Sequence, residues 1–302
     1  MASASEPREE CVQTIRSEIP QKTIHQSFCV QGVGLHHGGR VKVTVHPARE
    51  NQGIFFRVFQ NDSWVLVPAR SHFVSSSTRC TILASGVGSL STVEHFLAAC
   101  WGADVDNLEV VVEGEEMPAG DGSSVFWMDY FTQSGIVEQA SPRWYLVVND
   151  WICIQDRNQY LFAFPGPSFS VSYFLDVFEN PSFAEYAFFS GNQEFFSTIA
   201  AARTFAFQND VDTILREGLG QGVRESAFVL DDNGQANQFL RMSEEPCYHK
   251  LVDMIGDLML AGFRLRGQFV GLRSGHKLNV RMVKDILKKA RIENENRYTS
   301  CH

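Results

Sequence analysis

The period of hydrophobic and polar residues along this chain changes in a way that separates strands from helices. Residues 23–31 and 40–46 alternate as half-buried strands do, on either side of Gly32-Val33-Gly34, and residues 54–59 read as a third strand. From 91 to 101 the period lengthens to that of a helix. Residues 108–112 return to a β-rich run, and 123–134 predict a second helix that stops at Gly135. The order then begins again. Strands are expected at 145–155, 161–164 and 168–176, helices from about Val211 to Glu217 and over 244–261, a strand at 268–273 and a closing helix from about Lys277 to Arg291. Strands first and helices later, twice over, predict an α+β fold of two similar domains, each a β-sheet layered against helices, with the active site between them. The expected division is a flexible start over residues 1–21, a first domain over 22–141 and a second over 142–302, joined near Ser141-Pro142.

Composition narrows the function classes. A chain of 302 residues, 44% of them apolar, suits two domains of about 150 residues. Its 26 Lys and Arg against 35 Asp and Glu leave a net charge of -9, with no basic cluster beyond a short run near Lys288, which argues against a nucleic-acid partner. The 24 Phe point first to dense core packing and second to a greasy channel for an apolar substrate. Seven scattered cysteines without a C-x-x-C pair read as reduced thiols. The polar first twenty residues lack the apolar core of a signal peptide, and no apolar run reaches the roughly 18 residues of a membrane span. A cytoplasmic monomer without stable membrane insertion is expected.

Chemistry concentrates in the helix predicted over 244–261. On a wheel of about 100° per residue, with His249 at zero, Asp253 falls near 40°, Asp257 near 80° and Gly256 near 340°. Leu251, Val252, Ile255, Leu258 and Met259 cover the opposite side, so one face is built for the core and the other for chemistry. A solvated face would carry Glu and Lys at i,i+4. This stripe instead has His, two Asp and a helix-weakening Gly, and His and Asp at i,i+4 can reach one ion.

A second segment, Ser91-Thr92-Val93-Glu94-His95, admits two readings. Ser91 and Glu94 have the spacing of a capping box, in which Glu94 is structural. Alternatively His95 is a third ligand and Glu94 reaches a water beside the ion. Two His and one Asp form a catalytic rather than structural complement, since three protein ligands leave a fourth position open. Ser274-Gly275-His276 follows a predicted strand, and Asp257 could hold His276 charged as a general acid. In Ala202-Arg203-Thr204-Phe205, Thr204 could hydrogen-bond an oxyanion, although an isolated R-T-F is common.

Taken in order, Gly32-Val33-Gly34-Leu35-His36, Ser91-Thr92-Val93-Glu94-His95, Asp106-Asn107, Pro118 with Asp121-Gly122-Ser123, Ala202-Arg203-Thr204-Phe205, His249-Lys250-x-x-Asp253 with Gly256-Asp257-Leu258, and Ser274-Gly275-His276 span residues 22–290. This set resembles the UDP-3-O-acyl-N-acetylglucosamine deacetylases, which commit sugar nucleotides to lipid A synthesis in Gram-negative bacteria. The resemblance implies His95, His249 and Asp253 as ligands of Zn²⁺, with Fe²⁺ suiting the same set. It implies Glu94 as general base, His276 as general acid oriented by Asp257, and Thr204 at the oxyanion. Lys250 and Arg273 match positions near the diphosphate and sugar, and Phe205 and Phe207 the nucleotide and acyl-chain region. The implied substrate is UDP-3-O-acyl-N-acetylglucosamine, the products acetate and UDP-3-O-acyl-glucosamine, and the implied fold adds a hydrophobic passage from an insert in the second domain. Three places depart from the pattern. The turn Gly220-Gln221-Gly222-Val223-Arg224-Glu225-Ser226 is one residue short and more charged, His37 stands where a small polar residue is common, and the aromatic wall near residues 176–181 does not align cleanly. The alternatives are a zinc amidase of another acylated sugar and an inactive sugar-nucleotide-binding protein in which Glu94 only caps its helix.

Overall fold

A computed structural model describes residues 10–177, 180–191, 196–223 and 226–292. The chain opens with β1 (Val12–Ile24), β2 (Phe28–Val33), β3 (Arg40–Pro47), β4 (Ile54–Gln60) and β5 (Ser63–Pro68), then a small meander of β6 (Val74–Ser76), β7 (Ile82–Ser85) and β8 (Gly88–Leu90). Helix α1 (Glu94–Gly102), β9 (Leu108–Glu113) and α2 (Val125–Ser134) complete the first half. The second half runs β10 (Ile136–Val148), β11 (Ile152–Asp156), β12 (Gln159–Phe164), β13 (Phe169–Val177), β14 (Asn180–Phe189), α3 (Phe196–Ala200), β15 (Thr204–Phe207), α4 (Gln208–Arg216), β16 (Ala227–Leu230), α5 (Glu245–Leu258), β17 (Arg264–Leu272) and α6 (His276–Lys289).

The expected α+β plan is present. One sheet has the order β2-β3-β9-β4-β5 and buries Val43, Val45, Phe56, Val58, Val110 and Val112 against α1 and α2. The other runs β1-β10-β17-β12-β11, with β13 pairing β17 beyond the three residues that β10 pairs and β14 pairing β13, and its core packs against α5 and α6. Alternation gives each sheet one apolar face, and the helices cover it. A separate parallel pair, β15 and β16, has α4 between its strands. No helix among the described residues is long and apolar enough to cross a membrane.

Several elements differ from the sequence expectation. Residues 12–21, expected to be flexible, form most of β1, which pairs antiparallel with β10 over its whole length. Residues 1–9 lie outside the described residues. The single strand expected over 23–31 breaks at residues 25–27 into β1 and β2, which belong to different sheets, and that expected over 145–155 breaks between β10 and β11. Ser141-Pro142, expected as a joint, lies inside β10. Pro20 of β1 faces Pro142 there, with register shifts on both sides, so two residues that lack a donor N–H meet where the ladder is already interrupted.

Asp106-Asn107 turns out to be a clasp between the halves. The Asp106 carboxylate accepts from the Lys22 backbone at 2.8 Å, from Arg143 at 2.8 Å and from Arg264 at 3.2 Å, which ties α1's exit to β1, β10 and β17. Asn107 accepts from Gly53 N at 2.7 Å and donates to Gln21 and Gln139.

The halves also meet closely where α1 crosses α5. Gly256 lies directly against the backbone of Glu94, and a Cβ there would run into the Glu94 carbonyl oxygen. Twelve of the fourteen α5 residues are buried, so the side opposite the apolar stripe packs on α1 rather than facing solvent. Gly256→Ala is expected to cost about 3 kcal/mol, because backbone cannot yield as a side chain can. A urea midpoint unchanged by this substitution would show that the two helices can separate freely.

Candidate metal centre and active site

His95 is the second residue of α1, and His249 and Asp253 stand one turn apart on α5. All three are buried and bring ligand atoms within 4.8 Å of one another. Asp253 Oδ1 lies 3.3 Å from His95 Nε2 and 3.4 Å from His249 Nε2. Donor atoms at about 2.0–2.1 Å from a tetrahedral ion are separated by about 3.4 Å. The side chains are therefore already spaced around a single ion. His249 Nδ1 is 3.2 Å from the carbonyl of Ala202, which can only accept, so Nδ1 carries the proton and Nε2 presents its lone pair. Burial pushes His249 down to about 3. Burial works against the charge of Asp253, but His249, Lys250 and His276 outweigh it and hold this carboxyl well below the usual range. At neutral pH His249 and Asp253 thus stand in the protonation states a metal requires.

The ion would sit among further buried groups. The buried Glu94 does not cap its helix. Its Oε2 accepts from the backbone of Thr81 at 3.1 Å, while Ser91 donates to the Glu115 carbonyl and the cap position, Val93, has no side-chain partner. The capping-box reading is therefore corrected: the chain leaves β8 through Thr92 at φ 59°, which turns Ser91 away from the helix. Burial raises the pKa of Glu94, against the pull of His276 and His95. His276, first in α6, binds Asp257 Oδ2 through Nδ1 at 2.8 Å and places Nε2 3.9 Å from both Glu94 Oε1 and Asp253 Oδ2. Burial disfavours its charge, yet Asp257, Asp253 and Glu94 prevail and push it up to about 10.

The family model described as UDP-3-O-acyl N-acetylglycosamine deacetylase matches residues 21–288. The chain belongs to this family. Proteins named UDP-3-O-acyl-N-acetylglucosamine deacetylase are similar to it. That of Coxiella burnetii (strain RSA 493 / Nine Mile phase I) is 34% identical over 276 residues, covering 89% of this chain and 90% of its own. That of Pasteurella multocida (strain Pm70) is 33% identical with the same coverage. That of Wolinella succinogenes is 34% identical over 275 residues, covering 90% and 91%. The His-His-Asp cluster suits the metal dependence of this deacetylase family.

The other expected site residues fall at different depths. Lys250 bonds Asp253 Oδ2 at 2.8 Å, on the carboxylate oxygen not turned to both His, and lies 5.5 Å above the Phe205 ring. Phe205 stands 6.0 Å from the His249 ring and edge-on to Phe207. Thr204 begins β15 two residues beyond Ala202, and its backbone donates to Gly122 at 2.9 Å. Arg273 lies farther out, at φ 52°, with its guanidinium paired to both oxygens of Asp176. Phe178 and Glu179 of the aromatic wall near 176–181 lie outside the described residues, as do Arg224 and Glu225 of the 220–226 turn. The described part of that turn docks on the Leu35-His36 loop through Gln221 and Gly222. That loop is held in turn by buried Glu116, which accepts from the backbone of His36 at 2.9 Å and of His37 at 3.0 Å.

Sequence reasoning missed Thr81, Asn279, Ser124 and the Ala202 carbonyl, all in contact with expected site residues or, for Ser124, with the His95 backbone. Asn279 had a signal, one helical turn beyond His276. Thr81 had none, being 176 residues from Asp257. His249→Ala and Asp253→Ala are expected to lose bound metal, whereas Glu94→Gln keeps it; metal analysis of the purified variants decides this, and retention of a full equivalent in Asp253→Ala would remove that residue from the ligand set.

Proposed function

We propose that this chain removes the N-acetyl group of UDP-3-O-acyl-N-acetylglucosamine, with Glu94 as general base and His276 as general acid. Deacetylation, the hydrolysis of an amide bond, and a place in lipid A synthesis follow from the family. The observation that carries the assignment of roles is the convergence of base, acid and ligand: His276 Nε2 is 3.9 Å from Glu94 and 3.9 Å from Asp253.

Held by His95, His249 and Asp253, a divalent ion would polarise the scissile carbonyl and acidify water. Zn²⁺ is the proposed metal, and Fe²⁺ suits the same donors. Glu94, made more basic by burial, takes a proton from the attacking water. The Thr204 hydroxyl donates to the carbonyl oxygen as it gains charge. His276 then gives its Nε2 proton to the amine nitrogen, while Asp257 fixes the ring through Nδ1. Acetate and the 2-amino sugar nucleotide result. Lys250 and Arg273 face the phosphates and sugar in this reading, and Phe205 and Phe207 the nucleotide and acyl chain.

Acetate release from the UDP sugar tests the substrate directly. Glu94→Ala and His276→Ala are each expected to lower turnover by about 10² to 10⁴ while keeping metal; near-normal turnover in either variant removes that residue from the mechanism. Chelation should abolish activity, and Zn²⁺ or Fe²⁺ should restore it. The acid works only while protonated, and with His276 raised to about 10 activity persists through neutrality and falls as pH rises through that value. Asp257→Asn removes the largest influence raising it, so the alkaline limb of kcat/KM should move to lower pH; a limb that stays in place would show that another group sets it.

A further inference from the structure

Asp257 is completely buried, and each of its oxygens is accounted for. Oδ2 accepts from His276 Nδ1 at 2.8 Å and Asn279 Nδ2 at 2.9 Å, and Oδ1 accepts from the Thr81 hydroxyl at 2.6 Å. The same Thr81 donates its backbone N–H to Glu94 Oε2 at 3.1 Å. Thr81 is itself fully buried, just ahead of β7 and two residues past Arg79, whose φ of 64° turns the chain inward. Two donors of one residue, with a separation set by covalent geometry, therefore address two different carboxylates.

We infer that Thr81 is a positioning residue for the deacetylation, acting through Asp257 on His276 while its backbone holds Glu94. This rests on the reading of His276 as the general acid. A carboxylate held on one oxygen alone can swing about its Cβ–Cγ bond, and the His276 ring swings with it. The hydroxyl on Oδ1 closes that freedom. Because the backbone N–H survives any substitution except proline, the side chain can be tested without releasing Glu94. The local purpose of the β6-β7-β8 meander becomes plain, since it is the element that carries Thr81 to the crossing of α1 and α5.

The test compares acetate release by the metal-loaded wild type, Thr81→Val and Thr81→Ser, each also in an Asp257→Ala background. Thr81→Val should lower kcat about tenfold to a hundredfold, the loss of a hydrogen bond to a charged group, with KM and metal content unchanged. Thr81→Ser, which keeps the hydroxyl, should restore kcat to within about threefold of wild type, a difference smaller than one such bond. In the Asp257→Ala background Thr81→Val should cause no further loss. Thr81→Ala removes the hydroxyl without adding a methyl group, and takes the place of valine if that variant does not fold. Unchanged kcat in Thr81→Val, an equal loss in Thr81→Ser, or a full independent loss in the Asp257→Ala background overturns the inference while the wild type still turns over. A wild type that releases no acetate overturns the parent reading and this inference with it.

Discussion

Two helices from opposite halves of the chain meet where no side chain fits. Gly256 of α5 rests on the Glu94 carbonyl of α1, and the site depends on that contact. It sets the distance between His95 on one helix and His249 and Asp253 on the other, the proposed ligands, and coordination would tolerate errors of only about half an ångström. The approach is held from behind by packing. Phe96 and Leu97 on α1 belong to one core, and Leu251, Val252 and Ile255 on α5 to the other. Beyond the helices, the Asp106 clasp ties β10 and β17 to the end of α1, so the halves cannot slide without breaking half-buried ion pairs.

The close contact also creates an electrostatic problem that becomes the chemistry. Glu94, Asp253 and Asp257 are buried together, facing His95, His249, His276 and the ammonium of Lys250. Environment divides the three carboxylates by task. Asp253 lies among His249, Lys250 and His276 and stays ionised, as a ligand must. Asp257 is saturated with donors and turned to the His276 ring. Glu94, with a backbone donor from Thr81 and burial dominating, is raised above its ordinary value. Groups pushed apart in this way can act as acid and base at one pH. A divalent cation at the His-His-Asp cluster would answer the remaining negative charge.

How far the sequence could be read varies with the range of the interaction. The helices near 94–102, 245–258 and 276–289, and the strands near 40–47, 54–60 and 108–113, follow from local periodicity and stand within a few residues of expectation, whereas β5 to β8, β14 to β16 and α3 are not part of it. The breaks after Ile24 and Val148 were not legible, since apolar alternation continues while the strand changes sheets or turns back on itself. Pro142 looked like a joint because proline usually interrupts a ladder, and only its partner Pro20, 122 positions away in the chain, makes it acceptable inside β10.

The metal centre divides along the same line. The spacing of His249 and Asp253 is a property of one helix, as is the Gly256 gap beside them, so the sequence by itself determined that α5 carries two side chains able to reach one ion and a place of close approach. Whether Glu94 caps its helix or faces the site was balanced at that level, because Ser91 and Glu94 had the spacing for either. The tertiary structure decided it by turning Ser91 onto Glu115 and offering Glu94 the Thr81 N–H. Likewise the joining of His95 to the α5 pair, the aim of His276 and the anchoring of Asp257 by Thr81 come from contacts between distant parts of the chain. Helical geometry repeats every few residues and can be read locally. Packing brings together residues that no local repeat relates, and it alone places them within reach of one ion.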